Sequence, residues 1–152
     1  QLPKAWQERV ISTLAFDPTG PEAELLERVV ERGEALKAAQ EVQLTANLVT
    51  AAAKGQAVAG VRDTLAAVSD RRVDLLVIGQ DLHLEGWECP NCHLLLAESH
   101  VLCPRCNARM EPAPDIVEIA AAEVLRTGGD VEVVSPNDEF VRAGSIGATL
   151  RF

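Results

Sequence analysis

The residues of this chain best suited to chemistry are its four cysteines. Cys89-Pro90-Asn91-Cys92 and Cys103-Pro104-Arg105-Cys106 are two C-P-x-C turns ten residues apart, the spacing of two knuckles that face each other across a ribbon. Four thiolates in that arrangement close one tetrahedral shell. Zinc suits soft sulfur donors at about 2.3 Å, has no redox role, and in a four-sulfur shell keeps no open position for water or substrate. The spacing therefore predicts one structural Zn2+ held by Cys89, Cys92, Cys103 and Cys106, and no catalytic metal. A segment of this size has too little core to fold alone, and metal binding, apparently worth about 10 to 16 kcal/mol in small finger peptides, supplies what burial cannot. The residue after the second cysteine of each knuckle is expected to turn with positive φ, which Asn107 tolerates well and His93 less well.

Three other uses of the cysteines compete with zinc. Cys89-Pro90-Asn91-Cys92-His93 has the form of a c-type haem attachment string, yet the second C-P-x-C and the lack of an export signal count against it. Disulfides suit small secreted chains, whereas this one is long enough to build a core and crowds its cysteines into one short segment. A thioredoxin-like redox pair belongs at a helix start after a strand, and no helical pattern accompanies Pro90 or Pro104. His83, His93 and His100 are left out of the ligand set because four cysteines already fill it.

The elements that must position these residues follow from periodicity. Val10 to Phe16 has the composition of a strand, stopped by Asp17-Pro18-Thr19-Gly20-Pro21. Thr19 and Glu22 form a capping box with Pro21 in the first turn, and Leu25, Leu26, Val29, Val30 and Leu36 recur at helical spacing in a pattern that runs to about Ala53. Gly33, costing about 1 kcal/mol relative to Ala inside a helix, leaves a break into two helices and one long rod equally open. Val58, Val61, Leu65 and Val68 form the stripe of a shorter helix, and Val73 to Ile78 is a buried strand. After the cysteines, Asp115 caps a helix carrying Ile116, Ile119, Val124 and Leu125, ended by Gly128-Gly129. Val131 to Val134 is the next strand and Ile146 to Phe152 the last. The pattern is an α/β domain in two parts, 1–81 and 114–152, around an inserted zinc-binding minidomain, 82–113.

Composition narrows the function. The chain has 152 residues, 47% of them hydrophobic, with a net charge of −9 from 14 basic and 23 acidic side chains. That balance disfavours bulk capture of nucleic acid, which needs clustered cations. Five aromatic residues, Trp6, Phe16, Trp87, Phe140 and Phe152, are too scattered for a base-stacking platform. Arg105 and Arg109 are the only basic side chains near the knuckles, set against Glu85, Glu88, Glu98 and Glu111, so protein contact or plain stability is the better expectation for this module. No apolar run approaches the roughly 20 residues of a membrane span. Gln1 is followed by no basic start and apolar stretch, so the sequence is expected to be a piece of a longer protein. The G-x-S-x-G elbow, the H-E-x-x-H helix and the Walker phosphate loop are all missing, and the acids Glu24, Glu27, Glu31 and Glu34 lie at helix-surface spacing. Asp63, Asp74 and Asp81 meet near the end of the Val73 strand only if the fold brings them there. No catalytic residue is assigned.

Several strings taken together resemble a known family. Gly60-Val61-Arg62-Asp63-Thr64-Leu65-Ala66-Ala67, Val73-Asp74-Leu75-Leu76, the two knuckles, Asp115-Ile116-Val117-Glu118, Val131-Glu132-Val133-Val134 and the ending Gly144 to Phe152 are similar to domain 3, the C-terminal domain, of the archaeal and eukaryotic class 1 peptide chain release factors and their relative pelota. The Ala-, Arg- and Glu-rich composition resembles a bacterial branch. Two departures stand out: Ser145 where the family often has Gly, and Arg71-Arg72 where it has Gly-Ala. The resemblance implies a mixed sheet flanked by helices, similar to the kink-turn-binding ribosomal proteins, with the zinc ribbon inserted. It implies a cytoplasmic, ribosome-associated translation protein (termination, rescue or dormancy) whose partners are the ribosome and a translational GTPase. The Gly-Gly-Gln motif that hydrolyses peptidyl-tRNA in release factors belongs to the preceding domain of that family, and Lys54-Gly55-Gln56 is not that motif. The chain is thus expected to be a non-enzymatic docking domain. The alternative, from the shared fold, is an RNA-binding module of the kink-turn type, and fold similarity does not decide between them.

Overall fold

The computed structural model describes residues 22–152; the Val10 strand and most of the Thr19 capping box lie outside the described residues. Helix α1, Glu22–Ala53, is continuous through Gly33. Of the two expectations for that position the single rod is the one observed, and a Cβ on Gly33 would meet nothing within 4 Å. Of the described residues, 22–39 and 40–152 belong to separate units. In the first, Leu26, Val29 and Val30 are exposed.

Four strands form the main sheet, in the order β1-β7-β2-β6, where β1 is Ala57–Ala59, β2 Val73–Gly79, β6 Asp130–Val134 and β7 Ile146–Leu150. β2 runs parallel to β6 and antiparallel to β7, which pairs antiparallel with β1. Between β2 and β6 the chain forms a three-stranded antiparallel sheet and the helix Ile116–Arg126. The small sheet is ordered β4-β3-β5, with β3 Gly86–Glu88, β4 Leu95–Leu96 and β5 Glu111–Ala113. Helix α2 is Val61–Ser69, α3 Ile116–Arg126 and α4 Asp138–Arg142.

The near-continuous apolar run of β2 is explained by burial on both faces. Leu76, Ile78 and Val73 join Leu65 and Val68 of α2 and Ile116, Ala120 and Val124 of α3 in one core. Val77 and Leu75 join Leu48 of α1 and Phe140 of α4 in another. Strict alternation would put Val73 and Leu75 on the same face. The register slips between them, leaving Asp74 without a partner, and this bulge resets the phase. The Thr149 hydroxyl accepts from the Leu75 N–H at 3.2 Å across the irregularity.

On the α1 side, the buried Glu41 carboxylate accepts from the Ser135 N–H at 2.8 Å. Asn137 donates to the Thr45 hydroxyl at 2.9 Å and accepts from the Phe140 N–H at 3.0 Å, capping α4. That cap turns the wholly buried Phe140 ring into the core.

Three sequence expectations change. Val58 belongs to β1, not to the helix with Val61, because Gly60 at φ 93° breaks the chain between them. Leu125 is exposed, and the buried stripe of α3 is Ile116, Val117, Ala120 and Val124. β7 ends at Leu150, and the Arg72 side chain holds the Phe152 carbonyl at 2.9 Å. Asp115 caps α3 as expected, accepting from the Val117 N–H at 3.1 Å.

Candidate metal centre

Each knuckle is built by the same local hydrogen bonds. In the first, the His93 N–H donates to the Cys89 carbonyl at 2.9 Å and the Cys89 N–H to the Leu94 carbonyl at 2.9 Å. In the second, Asn107 donates to Cys103 at 2.8 Å and Cys103 to Ala108 at 2.8 Å. Both turns need one residue in the left-handed region, and His93 at φ 62° and Asn107 at φ 64° supply it. Proline at the second position of each turn pre-sets φ for the reversal.

The two turns bring all four sulfurs within 4.8 Å of one another. Cys89 Sγ lies 3.4 Å from Cys106 Sγ, and Cys92 Sγ 3.5 Å from Cys103 Sγ. A disulfide requires about 2.05 Å, and the edge of a zinc-thiolate tetrahedron with bonds of about 2.3 Å is about 3.8 Å. The spacing is that of metal-binding distance, and the four thiols are free. Among the described residues this is the one group of metal-ligating side chains so placed. Asp74 lies near the start of β2 and Asp81 beyond its end, so the acidic trio does not assemble. Neither cysteine pair opens a helix, as a thioredoxin-like pair would.

The surroundings favour thiolates in the second knuckle. The Asn91 side chain and the Ala108 amide hold Cys106 down at about 6, against burial. Burial pushes Cys103 up, but the N–H groups of Cys106 and Arg105 outweigh it and leave that thiol lowered; the Arg105 N–H lies 3.4 Å from its sulfur. Cys92, by contrast, is pushed up to about 12, mainly by burial. A cation bound at the centre would bring such a mixed set to four thiolates.

Side chains other than the four cysteines anchor the cluster to the α/β core. Ser69, in the last turn of α2, donates to the Leu65 carbonyl at 2.8 Å and accepts from the Leu95 N–H at 3.0 Å. Arg105 pairs with Asp70 at 2.7 Å, a half-exposed ion pair of the class worth about 0 to 1 kcal/mol. Sequence reading missed Asn91 and Ser69. Asn91 at the variable position of C-P-x-C was visible as a local donor, whereas nothing local marks Ser69. His93 sits 3.7 Å from Glu88 and His83 2.7 Å from Asp115, and His100 bonds the Glu98 carbonyl at 3.2 Å, so the three histidines stand apart from the sulfur set.

The fold and the sulfur cluster together define the class: a mixed α/β domain carrying a four-cysteine knuckle pair. No family model and no curated protein matches the sequence. Solved structures do. The C-terminal domain of a peptide chain release factor from Methanosarcina mazei superposes with a TM-score of 0.58 at 20% identity, over 91% of this chain and 98% of that one. Pelota from Archaeoglobus fulgidus gives 0.58 at 21% identity over 93% of this chain, and Pelota from Thermoplasma acidophilum 0.50 at 16% over 97%. The match takes in 39% and 41% of the two Pelota chains. At these identities the likeness defines the fold. No helix among the described residues is long and apolar enough to cross a membrane.

Proposed function

We propose that this chain is the non-catalytic C-terminal domain of a release-factor-like, ribosome-associated translation protein, a bacterial relative of the release factor and pelota family, working in the cytoplasm in termination, rescue or dormancy. One observation carries this reading: the likeness to a domain-sized release-factor fragment spans nearly the whole of both chains. In this reading 1–81 and 114–152 are the two parts of the α/β domain, and 82–113 is an inserted ribbon. Cys89, Cys92, Cys103 and Cys106 hold one structural Zn2+, which supplies a rigid cross-link and no open coordination position. The domain's work is then docking, on the ribosome and on a translational GTPase. A surface with nine excess negative charges suits protein contact better than phosphate contact.

Cosedimentation of the zinc-loaded chain with ribosomes tests the assignment. Pelleting with ribosomes at physiological salt is expected. A chain that stays in the supernatant, while binding isolated structured RNA at submicromolar affinity with a steep salt slope, would make it an RNA-binding module instead.

A further inference from the structure

The outer face of the small sheet carries an ordered apolar row. Trp87 stands opposite Leu96 on one side and Pro112 on the other, and directly opposite residues in antiparallel strands share a face. Gly86, Glu88, Leu95, Glu111 and Ala113 lie on the other face. Leu95 and Ala113 enter the main core, and a Cβ on Gly86 would meet Ile116 of α3 at 2.7 Å. That face meets the main core, with Glu88 and Glu111 at its margin, and the row lies on the opposite face, beside the knuckle cluster. Trp87 and Leu96 are half-buried and Pro112 is exposed. Val101 and Leu102, just before the second knuckle, add side chains 74% and 50% exposed, and the Met110 N–H holds the Val101 carbonyl at 3.0 Å, fixing Val101 beside β5.

Two grooves flank the Trp87–Pro112 pair. One of about 410 Å³ has Val101 and Met110 in its walls, and one of about 320 Å³ has Pro114. Their charged lining is Glu111 and Glu85 against the single cation Arg109, on a chain of net charge −9.

We propose that this face docks a basic segment of a partner protein in which Lys or Arg alternates with proline or aliphatic residues. The inference rests on the docking reading above and deepens it by giving the surface and the partner's chemistry. Extended proline-bearing peptides lie in grooves walled by aromatic rings; Trp87 lines both grooves, and a tryptophan ring face attracts a cation. Half-buried aromatics ringed by exposed aliphatics are where binding energy concentrates. The carboxylates steer a basic segment inward and oppose nucleic-acid phosphates. Trp87 and Leu96 also pack against Cys89, Cys103 and Met110, so the platform depends on the knuckles being closed.

The test uses the zinc-loaded chain with Trp6→Phe, which leaves Trp87 as the single tryptophan of the two in the sequence. A random twelve-residue peptide display library is the probe. Selected peptides are expected to converge on Lys or Arg beside Pro, Leu or Ile and to shift Trp87 emission. Affinity is expected to fall tenfold or more in Val101→Lys and in Glu85→Lys/Glu111→Lys, with zinc content unchanged; these three side chains are exposed and outside the core. No enrichment, acidic consensus peptides, or binding indifferent to both variants overturns the proposal. So does poly(U) RNA shifting the emission where peptides do not, or self-association abolished by Val101→Lys, which would make a second copy the occupant. Ribosome cosedimentation unaffected by the variants overturns this surface and leaves the translation reading intact. Peptide binding without ribosome association does the reverse.

Discussion

His93 and Asn107 occupy the same point of two successive knuckles, at φ 62° and 64°, each donating its N–H to the carbonyl of the first cysteine in its turn. The left-handed region costs an ordinary L-residue roughly 1 to 2 kcal/mol, and more for a β-branched one. Asn107→Val is therefore expected to weaken metal retention about tenfold, whereas Asn107→Gly and His93→Gly leave it equal or improved. Competition with a chromophoric chelator measures the difference. Equal retention in the Val and Gly variants would show that the turn does not organise the sulfurs.

Removal of any one sulfur should release the metal. Cys89→Ser is expected to lose stoichiometric zinc and to expose the Trp87 ring, because Trp87 packs on the cluster that contains Cys89 and Cys103. Hydrogen exchange should then rise over residues 86–113 before it rises in β2, whose Leu76 and Val77 are fully buried in the two cores. Elemental analysis and exchange mass spectrometry check the order of loss.

The exposed pair His83–Asp115 gives the chain a pH signature. Hydrogen bonding and charge from Asp115 raise the His83 pKa. Burial pushes Asp115 up, but the bonds from His83 and the Val117 amide outweigh it and leave it lowered. A raised histidine stabilises the fold fully below its unfolded value near 6.5, and that contribution disappears as pH rises through the folded value. The lowered carboxylate contributes above its unfolded value and loses this as pH falls through its folded one. NMR titration of His83 should give a midpoint above 6.5, which Asp115→Asn returns toward the ordinary value. An unchanged midpoint in that variant would remove Asp115 as the cause.

Arg71 and Ser145 are the two places where the sequence departs from glycine in the resemblance described above, and both carry positive φ, 57° and 59°. Ser145 is fixed on both sides: its N–H donates to the Phe140 carbonyl at 2.9 Å and its carbonyl accepts from Gly79 at 2.8 Å. Ser145→Gly and Arg71→Gly are each expected to change stability by no more than about 1 kcal/mol, toward greater stability, as relief of backbone strain offsets the added freedom of the unfolded chain. Urea unfolding midpoints decide it, with Ser145→Val expected to move the opposite way.

Gly147 of β7 lies directly under Leu48 of α1. A Cβ there would meet Leu48 Cδ2 at 2.6 Å and the Val58 carbonyl at 2.8 Å. Gly147→Ala is expected to destabilise by about 1 to 3 kcal/mol, the range for overpacking a closed core. Thermal unfolding monitored by circular dichroism provides the check.

Much of the main architecture was legible because it is locally encoded. β2 announced itself by an apolar run too short for a helix, and α3 by the Asp115 cap and the Gly128-Gly129 stop. The misses share a cause. Over the three residues of β1, a period of 2 and a period of 3.6 cannot be told apart, so Val58 fell in with the helix that follows. Leu125 matched the stripe by hydrophobicity, yet the fold leaves it 59% exposed. The small sheet has strands of two or three residues, below the length at which alternation is visible, and α4 is a five-residue turn whose single strong signal is Asn137.

The grouping of the four cysteines was legible in the sequence alone, since each C-P-x-C turn is a closed local structure, and the fold brings the sulfurs within 4.8 Å of one another. Strand order was decided only by the tertiary structure, because Ala57 finds its partner in Thr149 and Leu75 finds Asp130, pairings that no local pattern carries. The Leu96–Trp87–Pro112 row arose in the same way. Its three residues come from separate strands, and which side of the sheet they face was settled when Leu95 and Ala113 entered the core shared with α2 and α3.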